Sequence, residues 1–194
     1  MSEVLLYHHV QGLTDGVKAF ADTLREAGHT VHTPDLFDGR TFGSIEEGFA
    51  YTKSLEDGVI DQRVAAAVDG LPDTLAYAGI SYGVPPALEL TVKRPGARGL
   101  LMIESAMPIA GEWAVGPFPE DVPLQIHGAE GDEFFAEDRP FADQAVELLG
   151  SERAELFVYP GDQHLFSDRS LPSYDAEAAA LLTQRVVAFL DRLG

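Results

Sequence analysis

Leu75-Ala76-Tyr77-Ala78-Gly79-Ile80-Ser81-Tyr82-Gly83, continued by Val84-Pro85-Pro86-Ala87-Leu88-Glu89-Leu90, is the stretch around which the rest of the chain falls into place. Its first half is a short apolar run suited to a buried strand. Its second half is apolar-rich and suited to a helix, with both prolines in the first turn, where a missing N–H is tolerated. Between them lies Gly79-Ile80-Ser81-Tyr82-Gly83, a G-x-S-x-G pattern. A tight strand-to-helix turn forces the serine into strained backbone geometry, and a Cβ at either flanking glycine would collide with neighbouring backbone. Such a turn holds the hydroxyl out at the end of a strand and aims helix N-terminal amides at the same spot. Three fixed letters in five recur by chance, so it is the strand–turn–helix context that makes Ser81 a candidate nucleophile.

Outward from this stretch, apolar runs alternate with helical patterns. Val4 to His8 reads as a buried strand, with His9-Val10-Gln11-Gly12-Leu13 as the turn that leaves it. Val17, Phe20, Ala21, Leu24 and Ala27 recur at helical spacing and Gly28 closes that helix. Thr30 to Thr33 is a short strand stopped by Pro34, and Asp35 to Gly43 is loop. Ser44 to about Gly70 is helical in character but broken near Asp57-Gly58. Beyond the central helix, Gly99 to Glu104 and Val122 to His127 are strands. Between those two, Ser105 to Asp121 is too long for a tight connection and too apolar for a plain solvated loop. A helix around Pro140 to Leu149, a strand Ala154 to Tyr159 and a last helix from about Tyr174 complete the chain. Strands alternating with helices in this way predict parallel βαβ units in one α/β domain, residues 1–194, built on a single mostly parallel sheet with helices on both faces.

In open sheets of this kind the ligand site lies outside the carboxyl ends of the strands. Ser81, Asp132 and His164 all fall just after such ends, in the order Ser…Asp…His used by the α/β-hydrolase fold. A serine hydroxyl is a poor nucleophile near neutral pH and needs an adjacent base. The imidazole in turn needs a third group to fix its tautomer and steady the imidazolium that forms. Taken singly, Asp132 after Gly131 could be a turn residue or helix cap, and His164 a packed, hydrogen-bonded histidine.

With these segments in view the sequence resembles the dienelactone hydrolase family over nearly its whole length. The matching pieces are Thr33-Pro34-Asp35-Leu36-Phe37, the Gly79–Gly83 turn, Gly128-Ala129-Glu130-Gly131-Asp132 and Gly161-Asp162-Gln163-His164-Leu165-Phe166. The resemblance implies an α/β-hydrolase fold with a minimal N-terminus and a triad of Ser81, Asp132 and His164. It also implies an oxyanion hole formed by the backbone N–H groups of Tyr82 and Val10. Founding members of the family carry a cysteine nucleophile, where this chain has Ser81. Their glutamate after the first strand, which interacts with the thiol, is matched here by His9. They bind the substrate's carboxylate with arginines. The one expected just after the histidine segment is Asp168 here, next to Arg169, and no arginine aligns with the other.

The resemblance thus implies hydrolysis of a small ester or lactone through an acyl-enzyme, the alternative being a hydrolase-fold protein that binds a small molecule without turnover. Trp113 and Phe118 in the long connection, with Phe134 and Phe135 after Asp132 and His9 after the first strand, are the expected pocket lining. A bland alternative for these aromatics is that they anchor their loops to the core. His8 and His9 are adjacent and would face opposite ways on a strand, His29 reads as a surface residue, and Glu46-Glu47 as a solvated helix face. No metal site and no cofactor are expected.

Composition limits the partners. The chain has no cysteine and a formal net charge of −19, so disulfides and thiolate chemistry are excluded, and nucleic acid or anionic membrane would be repelled. No apolar run is long enough for a membrane span, and the N-terminal residues carry no signal-peptide pattern. The expectation is a cytoplasmic protein, monomeric or weakly dimeric, with a small-molecule substrate.

Overall fold

The computed structural model describes residues 1–194. Strands β1 (Glu3–Tyr7), β2 (Thr30–His32), β3 (Ala76–Ile80), β4 (Gly99–Ile103), β5 (Leu124–Ala129) and β6 (Ala154–Tyr159) form one sheet in the order β2-β1-β3-β4-β5-β6. The sequence predicted a mostly parallel sheet; every pairing is parallel. The chain builds outward from β1 in one direction to β2 and in the other to β3, so the order reverses beside β1. In open sheets of this kind the ligand crevice lies at such a reversal, outside the carboxyl ends of the strands.

Both faces of the sheet are apolar, which is why the strands read as nearly continuous hydrophobic runs. Val4, Leu6, Ala76, Ala78, Ile80, Leu101 and Ile103 point to one side and pack against helix α1 (Asp15–Glu26) and helix α6 (Ala176–Leu193). Leu5, Tyr7, Leu75, Tyr77, Leu100 and Met102 point to the other. There they meet helices α3 (Val59–Ala66), α4 (Val84–Lys93) and α5 (Glu133–Leu149). Helix α2 (Ile45–Ser54) is separated from α3 at Gly58, whose φ of 81° breaks the helical run where the Asp57-Gly58 pair predicted it. No helix is long and apolar enough to cross a membrane.

The helix starts carry their own chemistry. Thr14 caps α1 by accepting the N–H of Val17 at 3.2 Å, and Ser44 caps α2 by accepting that of Glu47 at 3.2 Å. Glu47 reaches back to the N–H of Gly43 at 3.0 Å, so this residue of the expected solvated face helps to fix the helix entry. His29 corrects another expectation: it is buried, 5% exposed, and accepts the N–H of Ser2.

The largest difference from the sequence reading is α5, which begins at Glu133 rather than near Pro140. Proline inside a helix removes one hydrogen bond and crowds the carbonyl four residues back. Here both Pro140 and Ala136 are exposed, so that carbonyl opens to solvent. The extra turns are secured at their start. Asp132 accepts the N–H of Phe134 at 3.0 Å, and Phe135 is buried against Gly128 at the end of β5.

The turn after β3 is as tight as its glycines imply. A Cβ on Gly79 would lie 2.1 Å from the carbonyl oxygen of Gly83, and one on Gly83 would lie 2.4 Å from that of Tyr7 in β1. Neither obstacle is a movable side-chain end. Gly79→Ala and Gly83→Ala are each expected to lower stability by about 2–4 kcal/mol, read as a reduced urea midpoint at unchanged slope. A midpoint within error of the parent would show that the turn can relax.

Candidate active site

Four groups meet at the carboxyl edge of the sheet. Ser81 follows β3 directly and has a φ of 47°, in the left-handed region that a non-glycine residue rarely adopts. Glu104 follows β4 with a φ of 59°, Asp132 lies three residues past β5, and His164 lies five residues past β6 in a loop whose next residue, Leu165, has a φ of 60°. Three of the four non-glycine residues with positive φ therefore stand at this edge. Strain of this kind costs on the order of 1–3 kcal/mol per residue and persists where the surroundings enforce it.

Ser81, His164 and Asp132 form one hydrogen-bonded chain. The Ser81 hydroxyl is 2.8 Å from Nε2 of His164, and Nδ1 of the same ring is 2.7 Å from Oδ2 of Asp132. With Nδ1–H donating to the carboxylate, Nε2 is left as the acceptor for the serine proton. Asp132 is 1% exposed, and its other oxygen caps α5 through the Phe134 N–H, so a helix start fixes its orientation. Backbone bonds tie the loops together: Glu130 N–H donates to Tyr159 O at 2.8 Å, and Gly131 N–H to Gly161 O at 2.8 Å. Phe134, one of the expected lining residues, lies against the imidazole of His164, ring centroids 4.6 Å apart, and is 48% exposed.

The loop after β1 is pinned on several sides. His8 Nδ1–H donates to the carbonyl of His9 at 2.7 Å and its Nε2 accepts the N–H of Leu36 at 3.0 Å; burial pushes its pKa down to about 4, which keeps it neutral. Gln11 and Phe42 exchange hydrogen bonds, and Gly48 of α2 allows the carbonyl of Val10 to approach. The N–H of Val10 donates to no acceptor in the protein, although the residue is buried.

Four expected lining residues are corrected. His9 is fully buried and both its ring nitrogens are committed within the protein: its Nε2 donates to Asp168 Oδ2 at 2.8 Å and its Nδ1 accepts the N–H of Gln11 at 3.2 Å. Phe135 is core, held under Gly128. Trp113 is 77% exposed, so its ring is largely open to solvent. Phe118 anchors its loop, packing on the core beside a cleft of about 430 Å³ that it shares with Ile109, Leu148 and Leu149. The bland alternative therefore holds for Phe118.

Sequence reasoning missed two things. One is the His9–Asp168 pair, which bridges the loop after β1 and the segment after His164; separate strand ends give no sign of it. The other is Glu104, whose signal was present: a single charged residue closing an apolar strand at the edge where the other site residues lie. No three His, Asp or Glu side chains converge as a metal site.

Asp168 is 3% exposed, and burial alone would raise its pKa. Hydrogen bonds from His9, Ser170 and Thr14 outweigh that and hold the carboxyl down at about 2. Gly16 leaves the room, since a Cβ there would overlap the carboxylate.

The fold is that of the α/β-hydrolases. The model of the dienelactone hydrolase family matches residues 120–194, the part that holds Asp132 and His164. Solved structures share the fold across the whole chain. A dienelactone hydrolase-like promiscuous phosphotriesterase from metagenomic libraries is 17% identical with a TM-score of 0.77, covering 100% of this chain and 87% of its own. A dienelactone hydrolase candidate from Klebsiella pneumoniae is 17% identical at 0.74, covering 99% and 87%. Carboxyl esterase 2 of the fungus Tuber melanosporum is 14% identical at 0.70, covering 100% and 78%. Among curated proteins, none matches the sequence.

The buried pair gives a prediction with a definite sign. A carboxyl whose pKa falls from 3.8 to about 2 on folding contributes stability above pH 3.8 and loses it as pH falls through about 2. The shift corresponds to about 2 kcal/mol. Asp168→Asn should therefore lower the unfolding free energy by roughly that amount near neutral pH, with the gap closing as pH is lowered from about 5 towards 2. A gap independent of pH in urea melts would refute the charge-based account.

Proposed function

We propose that this chain is a serine hydrolase that cleaves a small ester or lactone through an acyl-enzyme. The observation that carries the proposal is the continuous Ser81–His164–Asp132 hydrogen-bond chain on a strained strand-to-helix turn. The hydroxyl of Ser81 attacks the carbonyl carbon while Nε2 of His164 takes its proton. The imidazolium so formed is held by Asp132. Collapse of the tetrahedral adduct breaks the bond to the leaving oxygen, which receives the proton from His164 and departs as an alcohol, or stays tethered in a lactone. Water then attacks the acyl-serine with the same imidazole as base, releasing the acid and restoring Ser81.

The N–H groups of Val10 and Tyr82 stabilise the developing oxyanion. The free donor on Val10, in a loop that hydrogen bonds hold rigid, supports its part in this role. The family match over the acid and histidine segments, and solved neighbours described as esterases, support the reaction class.

The substrate carried here is uncharged. A carboxylate drawn into a partly dry site needs a cation or several donors beside it. The position where the resemblance implies an arginine holds Asp168, buried and committed to His9. Arg40 lies over the ring of Tyr51, 5.4 Å from its centroid, and Arg169 lines a separate hollow with Phe20 and Tyr174.

Ser81→Ala and His164→Ala should each lower kcat for a p-nitrophenyl ester by on the order of a thousandfold or more, with folding intact by circular dichroism. Turnover near the parental rate in both would refute the mechanism. A fluorophosphonate probe should label Ser81; intact protein that stays unlabelled at neutral pH would favour binding without turnover.

For a neutral and an anionic ester of matched shape, kcat/KM should favour the neutral one by at least about tenfold. Preference for the anion would place an arginine inside the site.

A further inference from the structure

Glu104 is a carboxylic acid with no solvent exposure, at the same sheet edge as the triad, and the mechanism above gives it nothing to do. One oxygen accepts the N–H of Ser167 at 2.8 Å, and Ser167 lies three residues after His164 in the same loop. The other oxygen, Oε2, is buried without any hydrogen-bond partner in the protein. An orphaned carboxyl oxygen in a native interior calls for an explanation. Its backbone adds to the oddity: φ is 59°, and its N–H donates to the carbonyl of His127 at 2.7 Å, which fixes where the side chain starts. Glutamate is rarely buried or left-handed, and here it is both.

The charged groups that act on Glu104 are His164, which favours its ionised form, and Asp132, which opposes it. Its chain neighbours Ser105 and Ala106 are bound instead by Asp138 of α5, through a hydroxyl at 2.6 Å and an N–H at 3.0 Å. His127, on the neighbouring strand, is kept neutral by burial, its pKa pushed down to about 3, and both its ring nitrogens are occupied by Tyr159 and Gln125. Of the two charged groups that act on Glu104, the imidazole of His164 is the one that becomes a cation in the proposed reaction.

We propose that Glu104 is a positioning residue for His164: it fixes the histidine loop through Ser167 and supplies a second carboxylate field on the imidazolium beside that of Asp132. The inference rests on the triad reading above. Burial, reinforced by Asp132 and opposed by His164 and the Ser167 N–H, pushes the Glu104 carboxyl up to about 7 from its ordinary 4.5. Around neutrality Glu104 therefore passes from a neutral acid to an anion. The anion favours the cationic imidazole, so Glu104 links the proton affinity of His164 to its own ionisation.

The test is a titration of the His164 imidazole by NMR in protein carrying carbon-13-labelled histidine, with the resonance assigned by its loss in His164→Gln. The wild-type signal should move in two steps. In Glu104→Gln, which keeps an oxygen for the Ser167 N–H and removes the charge, it should move in one step, at a pH lower by about half a unit or more. In parallel, kcat/KM for p-nitrophenyl acetate should show its acid limb displaced the same way, with kcat reduced about threefold or more and KM little changed. A single-step wild-type titration, or superimposable curves for the two proteins, overturns the proposal. Because the wild-type curve alone decides the first point, failure of Glu104→Gln to fold does not protect the idea. The NMR titration also needs no turnover, so a protein without esterase activity would defeat the hydrolase reading and leave this test standing.

Discussion

The α-carbon of Gly83 lies so close to the end of β1 that a methyl group on it would approach the Tyr7 carbonyl oxygen to 2.4 Å. That approach governs the rest of the site. It sets the first turn of α4 against β1 and β3 together, and no side chain is small enough to stand in for hydrogen at that contact. With α4 seated there, the chain has only the three residues Ser81–Gly83 between β3 and α4, and Ser81, the first of them, takes the left-handed conformation. The same contact holds the segment leaving β1, at the Tyr7 and His8 carbonyls, against the turn that carries Ser81. A glycine-sized gap thus does what a larger site would do with several side chains.

Much of this was legible in the chain. Alternating apolar runs and helical periodicities located the six strands and the helical segments between them, with Ser44 to Gly70 read as two helices or a bend. They do so well here because a sheet covered on both faces leaves little polar interruption in its strands. That Ser81, Asp132 and His164 would come together was readable because each follows a strand, and strand ends are the points where this topology brings distant residues together. What escaped was lateral. The burial of His9 against Asp168, of Phe135 under Gly128, and of Glu104 under the histidine loop depends on how loops fold onto one another, and no periodicity records that. The start of α5 escaped for a related reason. Pro140 is an ordinary stop signal, overridden by the Asp132 cap and the anchoring of Phe135, both of which are visible only once the loop has its shape.

The His9–Asp168 bond rewrites the expected chemistry of two positions at once. Where the resemblance implies an acid after the first strand and an arginine after the histidine, this chain has an imidazole and a carboxylate, which satisfy each other in the interior. Neither is then available to a ligand. Their bond nevertheless matters to the site, since it joins the loop of Val10 to the loop of His164 by a contact that touches no reacting atom.

The triad also has a temporal side. Ser81 and His164 are 83 positions apart in sequence, and the Asp132–His164 bond spans 32. Parallel pairing makes most of the sheet non-local in this way, a property of slow-folding topologies. During synthesis from the N-terminus, the residues of the strained serine turn emerge well before the loop that carries His164. Ser81 can meet His164 only once β6 is in place, so under the proposed mechanism a chain still lacking that strand would have no base beside its serine.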